Sequence, residues 1–152
     1  HHQTAQEIVD DFGKDLKAVI CTTGTGGTIS GLSKVLRKAI PGIAIIATEP
    51  DNSPILSKGV GCRHRIMGTA PGFIPDTLDQ NSYDDIIPIN ADQAIATSRR
   101  LAEREGIFCG ISCGAAVLGM LEYAQRDVAQ DQQLLAILAD TGERYLSTEL
   151  WA

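Results

Sequence analysis

The apolar positions of the chain fall into short runs separated by stretches of helical periodicity. Residues 16–22 and 134–139 are apolar runs, and residues 43–48 are apolar without alternation. A strand that is apolar on both faces is typical of a parallel sheet that helices cover on both sides. The pattern therefore predicts an α/β fold, a three-layer, mostly parallel sheet with helices on both faces.

Three predicted helices lie between these strands. The first follows residues 24–28 and stops at Pro41, and the second starts at Asn90 and stops at Gly106. A third begins at about Ser112 and is apolar nearly all round over residues 115–121, which predicts a buried helix.

Residues 49–85 are rich in proline, glycine, asparagine and aspartate, and predict a long surface excursion with one short helix near residues 53–57. Such long loops in compact domains are usually functional. Residues 86–89 then form a short strand, which Pro88 places at an edge of the sheet. No repeat or low-complexity linker divides the sequence, so residues 1–152 are predicted to be one domain.

The most informative segment is the glycine turn, residues 24–28, which joins the first strand to the first helix. The first amides of a helix lack intrahelical partners and carry the positive end of the helix dipole. Glycines let the backbone approach an anion closely, and threonine hydroxyls add donors. The turn therefore predicts a phosphate site, without saying which phosphate.

Two familiar phosphate-binding motifs do not match the sequence, because each lacks one residue that the motif requires. The dinucleotide fingerprint needs glycine where Ile29 stands, and a P-loop that starts at Gly26 needs lysine where Leu32 stands. A third interpretation is that the glycines only let strand and helix pack closely. Four glycines within eight residues are more than a tight turn needs, so we favour the phosphate site.

Composition narrows the function further. The formal net charge of −6 argues against a general nucleic-acid surface, which needs a clustered positive field. No apolar run is long enough for a membrane span, and no leader pattern opens the sequence, so we expect a soluble, cytoplasmic protein. Reduced, buried thiols are expected for the four cysteines; a metal site at Cys109, Cys113 and residues 62–64 is the alternative.

Four motifs occur in the order in which cysteine synthases have them. Residues 24–28 resemble the G-T-G-G-T loop of these enzymes, and residues 72–75 their G-F-I-P stretch. Residues 110–116 resemble G-I-S-S-G-A-A, and residues 141–148 resemble S-G-E-R-Y-L-S-T. The chain thus resembles the fold-type-II pyridoxal-phosphate (PLP) enzymes, which include cysteine synthase and cystathionine β-synthase.

The resemblance implies PLP as the cofactor and gives a role to two elements of the site. Ser112 matches the serine whose hydroxyl faces the pyridine nitrogen, and its neutral hydroxyl suits a weaker electron sink and β-elimination. The alternative is that Ser112 is the N-cap of its helix, and both roles could coexist. The loop that holds the cofactor phosphate corresponds to Gly24, Thr25, Gly26, Gly27 and Thr28.

One essential group of the family has no counterpart here. The Schiff-base lysine, the asparagine near the ring hydroxyl and the T-S-G-N loop belong to the earlier half of these enzymes, and none of those motifs occurs. The chain is therefore predicted to be an incomplete large domain, a C-terminal fragment whose lysine-bearing N-terminal half is absent, with no catalytic residue of its own. The lysines present are Lys14, Lys17, Lys34, Lys38 and Lys58.

For the intact protein the resemblance implies synthesis of L-cysteine from O-acetyl-L-serine and sulfide, in a homodimer, with serine acetyltransferase as a candidate partner. Alternatives are a cystathionine β-synthase-like or serine/threonine dehydratase-like enzyme. A non-catalytic paralogue that acts as a binding domain, and a phosphate-ligand module unrelated to PLP, also remain open.

Three smaller features complete the sequence-based expectations. Ala70 stands at the middle glycine of the family's G-x-G-x-G, where its methyl group would narrow the approach to the cofactor or stiffen the loop. Cys113 replaces a serine of the family and is expected to be buried. Glu143 and Arg144 are predicted to be a solvated pair, and residues 63–65 a solvated loop cluster or a surface that faces a partner.

Overall fold

The computed structural model describes all residues, 1–152, as an α/β domain. Three short 3-10 turns accompany its helices and strands, at Gly13–Asp15, Asp127–Ala129 and Gly142–Tyr145. The elements in chain order are α1 (His2–Phe12), β1 (Leu16–Thr22), α2 (Gly27–Ala39), β2 (Ala44–Pro50), α3 (Ile55–Lys58), β3 (Asp85–Ile89), α4 (Ala91–Glu105), α5 (Ile111–Ala124) and β4 (Gln133–Ala136).

The sheet is parallel throughout, with the strand order β3-β2-β1-β4. Ile20 at the centre of β1 is in register with Ile46 of β2 and with Ala136 of β4. The predicted parallel sheet is confirmed, and so is the position of β3 at an edge. Because all four strands run the same way, the segments that follow β1 and β4 leave the sheet at the same end.

Helices cover both faces of the sheet, as predicted. Along β1, Val19 and Cys21 pack with α1 and α2 on one face, whereas Ala18 and Ile20 pack with α4 and α5 on the other. This alternation follows from the two-residue period of a strand. The last helix, α5, is buried along most of its length, as its uniformly apolar sequence predicts.

Local signals set most of the helix ends. The side chain of Asn90 accepts hydrogen bonds from two first-turn amides of α4, and Gly106 ends the helix with a φ of 69°. The short helix expected near residues 53–57 is α3, at Ile55–Lys58. None of the five helices is both long and apolar enough to span a membrane.

Two expectations need correction. The helix α1 was not expected from the sequence, although Ala5 and Ile8 pack into the core against α2. The last strand was predicted over residues 134–139 but ends at Ala136. The amide of Ile137 still donates to Ile20, after which the chain turns away from the sheet.

Candidate functional site

A cavity of about 260 Å³ opens where β1 and β4 end. We call it the β1–β4 cavity. A larger groove of about 540 Å³ beside α2 is lined only by polar residues and contains none of the predicted site residues. The ten residues that line the β1–β4 cavity are Thr22, Gly24, Thr25, Gly26, Thr28, Ile29, Gly68, Ser112, Ala139 and Asp140.

Packing on two sides fixes the shape of the glycine turn. A β-carbon on Gly24 would lie 2.5 Å from the carbonyl oxygen of Gly68, and one on Gly26 would lie 2.4 Å from Cβ of Leu78. Gly26 also has a φ of 80°, in the left-handed region that favours glycine. Because neither glycine has a side chain, the loop of residues 49–85 can pack against the turn on two sides.

The amides of the turn remain available to a ligand. No hydrogen bond to a protein acceptor uses the N–H of any residue from 24 to 28. Gly26 is the N-cap of α2 and provides no side-chain cap, and the first turn of α2 contains no acidic residue. Unpartnered amides at the positive end of a 13-residue helix favour an anion.

The threonines of the turn differ in their contacts. The carbonyl oxygen of Thr25 accepts a hydrogen bond from the Thr77 hydroxyl, and the side-chain hydroxyl of Thr25 has no partner in the protein. The hydroxyl of Thr28 lies 3.3 Å from Nε2 of His1. Both threonines line the β1–β4 cavity. Gly27 does not line it, although its amide is the first of α2.

Ser112 lies in the same cavity as the glycine turn. It is the second residue of α5, only 6% exposed, and its hydroxyl has no hydrogen-bond partner in the protein. The N-cap of α5 is Gly110, so the alternative that Ser112 caps this helix is wrong. A hydroxyl that has no protein partner and lies at a cavity wall is available to a polar ligand atom.

Asp140 is the lining residue that sequence analysis did not single out. Its Oδ1 accepts a hydrogen bond from Sγ of Cys113 at 3.2 Å, and its Oδ2 accepts one from the Tyr145 hydroxyl. Burial, followed by this hydrogen bond, raises the pKa of Tyr145. The available signal was its position directly after the predicted last strand, residues 134–139, because ligand sites of open α/β sheets lie at the carboxyl ends of the strands.

The cysteines differ in exposure. Cys21, Cys109 and Cys113 are buried, whereas Cys62 is exposed, which corrects the expectation that all four are buried. Burial raises the pKa of Cys21 to about 12. The hydrogen bond with Cys113, followed by burial, raises the pKa of Cys109. No group of three or more metal-ligating side chains is present, at residues 62–64 or elsewhere.

The remaining candidates lie away from the β1–β4 cavity. Arg65 forms ion pairs with Asp92 and Glu149 on the surface. Glu143 and Arg144 are both exposed, but no ion pair joins them.

Ala70 is also outside the cavity. It is 3% exposed, and Gly68 is the residue of this loop that lines the cavity. Its φ of 38° is in the left-handed region, and its amide donates to the carbonyl of Thr23. Its methyl group therefore affects the conformation of the loop rather than the width of the cavity.

The residues of the β1–β4 cavity fit a phosphorylated aromatic ring. The glycine turn presents unpartnered amides and two threonine hydroxyls, which suit a phosphate. Ser112 adds a hydroxyl without a protein partner, which suits a ring nitrogen. None of the five lysines is among the lining residues.

Comparison with known proteins gives the chain a family. Residues 1–140 match the family described as pyridoxal-phosphate dependent enzymes. A probable cysteine synthase of Bacillus subtilis is 45% identical over 152 residues, which are 98% of this chain and 49% of that protein. An O-ureido-L-serine synthase of Streptomyces lavendulae is 46% identical over 149 residues, 97% of this chain and 46% of that protein.

Solved structures agree. A cysteine synthase from Entamoeba histolytica superposes with a TM-score of 0.96 at 38% identity, and the match covers 99% of this chain and 45% of that one. The chain spans about half the length of the curated relatives it matches. The resemblance to fold-type-II enzymes such as cysteine synthase is thus confirmed in both sequence and fold. By the match over residues 1–140 and by its sheet, this chain belongs to the family of pyridoxal-phosphate dependent enzymes.

Proposed function

We propose that this chain is the C-terminal, phosphate-binding part of a cysteine synthase, and that it binds PLP without catalysing the reaction by itself. The observation that carries the proposal is the presence of the free amides of the glycine turn and the unpartnered Ser112 hydroxyl in one cavity. The motifs of the family's earlier half, with its lysine, do not occur in residues 1–152. We therefore assign the cofactor sites to this chain and proton transfer to the part of the protein that would carry those motifs.

Each residue of the site has a defined task in this proposal. The amides of Gly24, Thr25, Gly26, Gly27 and Thr28 hold the phosphate, with the free hydroxyl of Thr25 as a further donor. The hydroxyl of Ser112 orients the ring by contacting its nitrogen. Bound PLP supplies the electron sink for β-replacement on an amino acid.

In the intact protein we infer that the amino-acid substrate is O-acetyl-L-serine, that sulfide is the nucleophile and that L-cysteine is the product. Cysteine synthases at 43–45% identity support this choice. The relative named O-ureido-L-serine synthase is 46% identical, so that activity is the second candidate. A cytoplasmic homodimer with serine acetyltransferase as a partner is the assembly we propose for the full-length protein.

Titration of the chain with PLP, followed by absorbance and by quenching of Trp151, tests the cofactor site. We expect saturable binding of PLP. Pyridoxal should bind at least about 100-fold more weakly than PLP, because the charge-assisted hydrogen bonds to the phosphate are lost. Ser112→Ala should weaken PLP binding up to about tenfold, whereas Ser147→Ala, an exposed serine outside the cavity, should not. Equal affinity for pyridoxal and PLP would refute the phosphate role of the glycine turn.

Borohydride reduction in the presence of PLP, followed by mass spectrometry, tests the prediction that no lysine of this chain forms a Schiff base with PLP. The expected result is no stoichiometric adduct, because none of the five lysines lines the β1–β4 cavity. A stoichiometric adduct on one specific lysine would show that the chain is catalytically complete. Adding a recombinant N-terminal half of a cysteine synthase, with O-acetylserine and sulfide, then tests the proposed reaction against serine as the alternative substrate.

A further inference from the structure

Asp140 and Ser112 both line the β1–β4 cavity. Asp140 follows the last strand, and Ser112 is the second residue of α5. The segment that carries Asp140 is held against the start of α5 by one antiparallel backbone bridge. Cys109 forms an isolated antiparallel bridge with Thr141, and the amide of Gly142 donates to Phe108 at 3.0 Å.

The carboxylate of Asp140 rests directly on Gly110. A β-carbon on Gly110 would lie 2.4 Å from Oδ1 and 2.7 Å from Oδ2 of Asp140, so only glycine leaves room for the carboxylate. Gly110 is the N-cap of the 14-residue helix α5. The carboxylate thus lies at the positive end of this helix, where a negative charge is stabilised.

Hydrogen bonds fix the orientation of this carboxylate. Both of its oxygens are acceptors, for the Cys113 thiol and for the Tyr145 hydroxyl, an arrangement that suits the ionised form, which has acceptors only. The titratable groups that face Asp140 are therefore Cys113 on α5 and Tyr145 on the following turn, with Cys109 beyond Cys113. No arginine, lysine or histidine forms an ion pair with Asp140. Arg144 is the charged neighbour of this group, because its charge opposes the rise in the pKa of Tyr145.

We propose that Asp140 is a positioning residue whose fixed negative charge makes the ring nitrogen of PLP, at the Ser112 hydroxyl, more basic than that hydroxyl alone would. This inference rests on the proposed function. A nearby opposite charge favours the protonated form of a base, so the ring nitrogen holds its proton to a higher pH. The sequence-based expectation of a weaker electron sink considered the neutral hydroxyl of Ser112 without this neighbouring carboxylate.

The test is a pH titration of the absorption and fluorescence of the PLP-saturated chain. Asp140→Asn removes the charge and keeps the shape, and it should lower the midpoint of ring-nitrogen titration by about one pH unit, with PLP affinity changed less than about threefold. Tyr145→Phe removes a hydrogen bond but leaves the carboxylate, so its midpoint should stay close to that of the wild type. Asp131→Asn, at an exposed position away from the cavity, is the matched charge control.

The outcomes separate this inference from the proposed function. If the wild type binds PLP but Asp140→Asn leaves the midpoint unchanged, Asp140 has only a structural role and the inference is overturned. If the wild type binds no PLP, both proposals fail. Should Asp140→Asn not fold, Asp140→Ser removes the same charge with a smaller side chain, and an unchanged midpoint in that variant has the same meaning.

Discussion

The carbonyl oxygen of Gly68 lies 2.5 Å from the point where Gly24 would carry a β-carbon. Two loops that are far apart in the sequence therefore meet with backbone against backbone at the wall of the β1–β4 cavity. The carbonyl belongs to the main chain, so it cannot swing away as a flexible side chain could. The shape of the glycine turn therefore requires a residue without a side chain at Gly24.

Gly24→Ala should separate this contact from the general effect of adding a methyl group. We expect it to lower the free energy of unfolding by about 1–3 kcal/mol through overpacking, and to weaken PLP binding. Gly27→Ala is the matched control, because its nearest neighbouring atom would be 3.8 Å away and its amide is retained. Urea unfolding and PLP titration measure both effects. Equal destabilisation by the two variants would contradict the proposed contact.

Ala70→Gly should stabilise the fold. The φ of 38° at Ala70 costs an alanine about 1–2 kcal/mol, which exceeds the extra freedom that glycine gains in the unfolded chain. The net gain in the free energy of unfolding should be about 0.5–1 kcal/mol, measured by urea denaturation. Asp131→Gly, at the other non-glycine residue with positive φ, should gain less, because aspartate tolerates this conformation better. A loss of stability in Ala70→Gly would show that the methyl packing outweighs the strain.

Thiol labelling should distinguish Cys62 from the other cysteines. Cys62 is exposed, whereas Cys21, Cys109 and Cys113 are buried. Burial also raises the pKa of Cys21 to about 12, so little reactive thiolate forms there near neutral pH. A chromogenic disulfide reagent should modify one thiol in the folded chain and four in urea, and none in folded Cys62→Ser. Rapid labelling of a second thiol at neutral pH would mean that the core opens locally.

The stability of the chain should fall at alkaline pH, in part because of Tyr145. Its pKa is raised in the folded chain by burial and by the hydrogen bond to Asp140, whereas an unfolded tyrosine titrates near about 10. Unfolding above that pH therefore releases a proton, and this contribution to stability, complete below about pH 10, declines as the pH rises further.

The variant Tyr145→Phe isolates the contribution of Tyr145 to the loss of stability at alkaline pH. The difference in unfolding free energy between the wild type and this variant should shrink as the pH rises above about 10, while Tyr83 titrates equally in both proteins. A difference that is independent of pH would place the phenol of Tyr145 in an ordinary environment.

The sequence predicted the parts of the fold that depend on local patterns. The unbroken apolar run of β2 indicated a covered parallel sheet, and the glycine turn indicated an anion site. Asp140 was not found because its partners, Cys113 and Tyr145, come from other segments and carry no joint sequence pattern. The last strand was predicted too long because residues 137–139 stay apolar although the pairing with β1 ends at Ala136, opposite Ile20. Ala139 lines the β1–β4 cavity instead.

The pairing of β1 with the edge strand β4 joins Leu16 to Gln133, two residues that are far apart in the sequence. Closing so long a loop costs entropy before any contact between the two strands is gained, and folds dominated by such distant pairings form slowly. During synthesis β1 and β2 leave the ribosome long before β4, so one side of β1 waits without a partner. The wall of the β1–β4 cavity that carries Ala139 and Asp140 is therefore completed only after β4 has been made, later than the glycine turn.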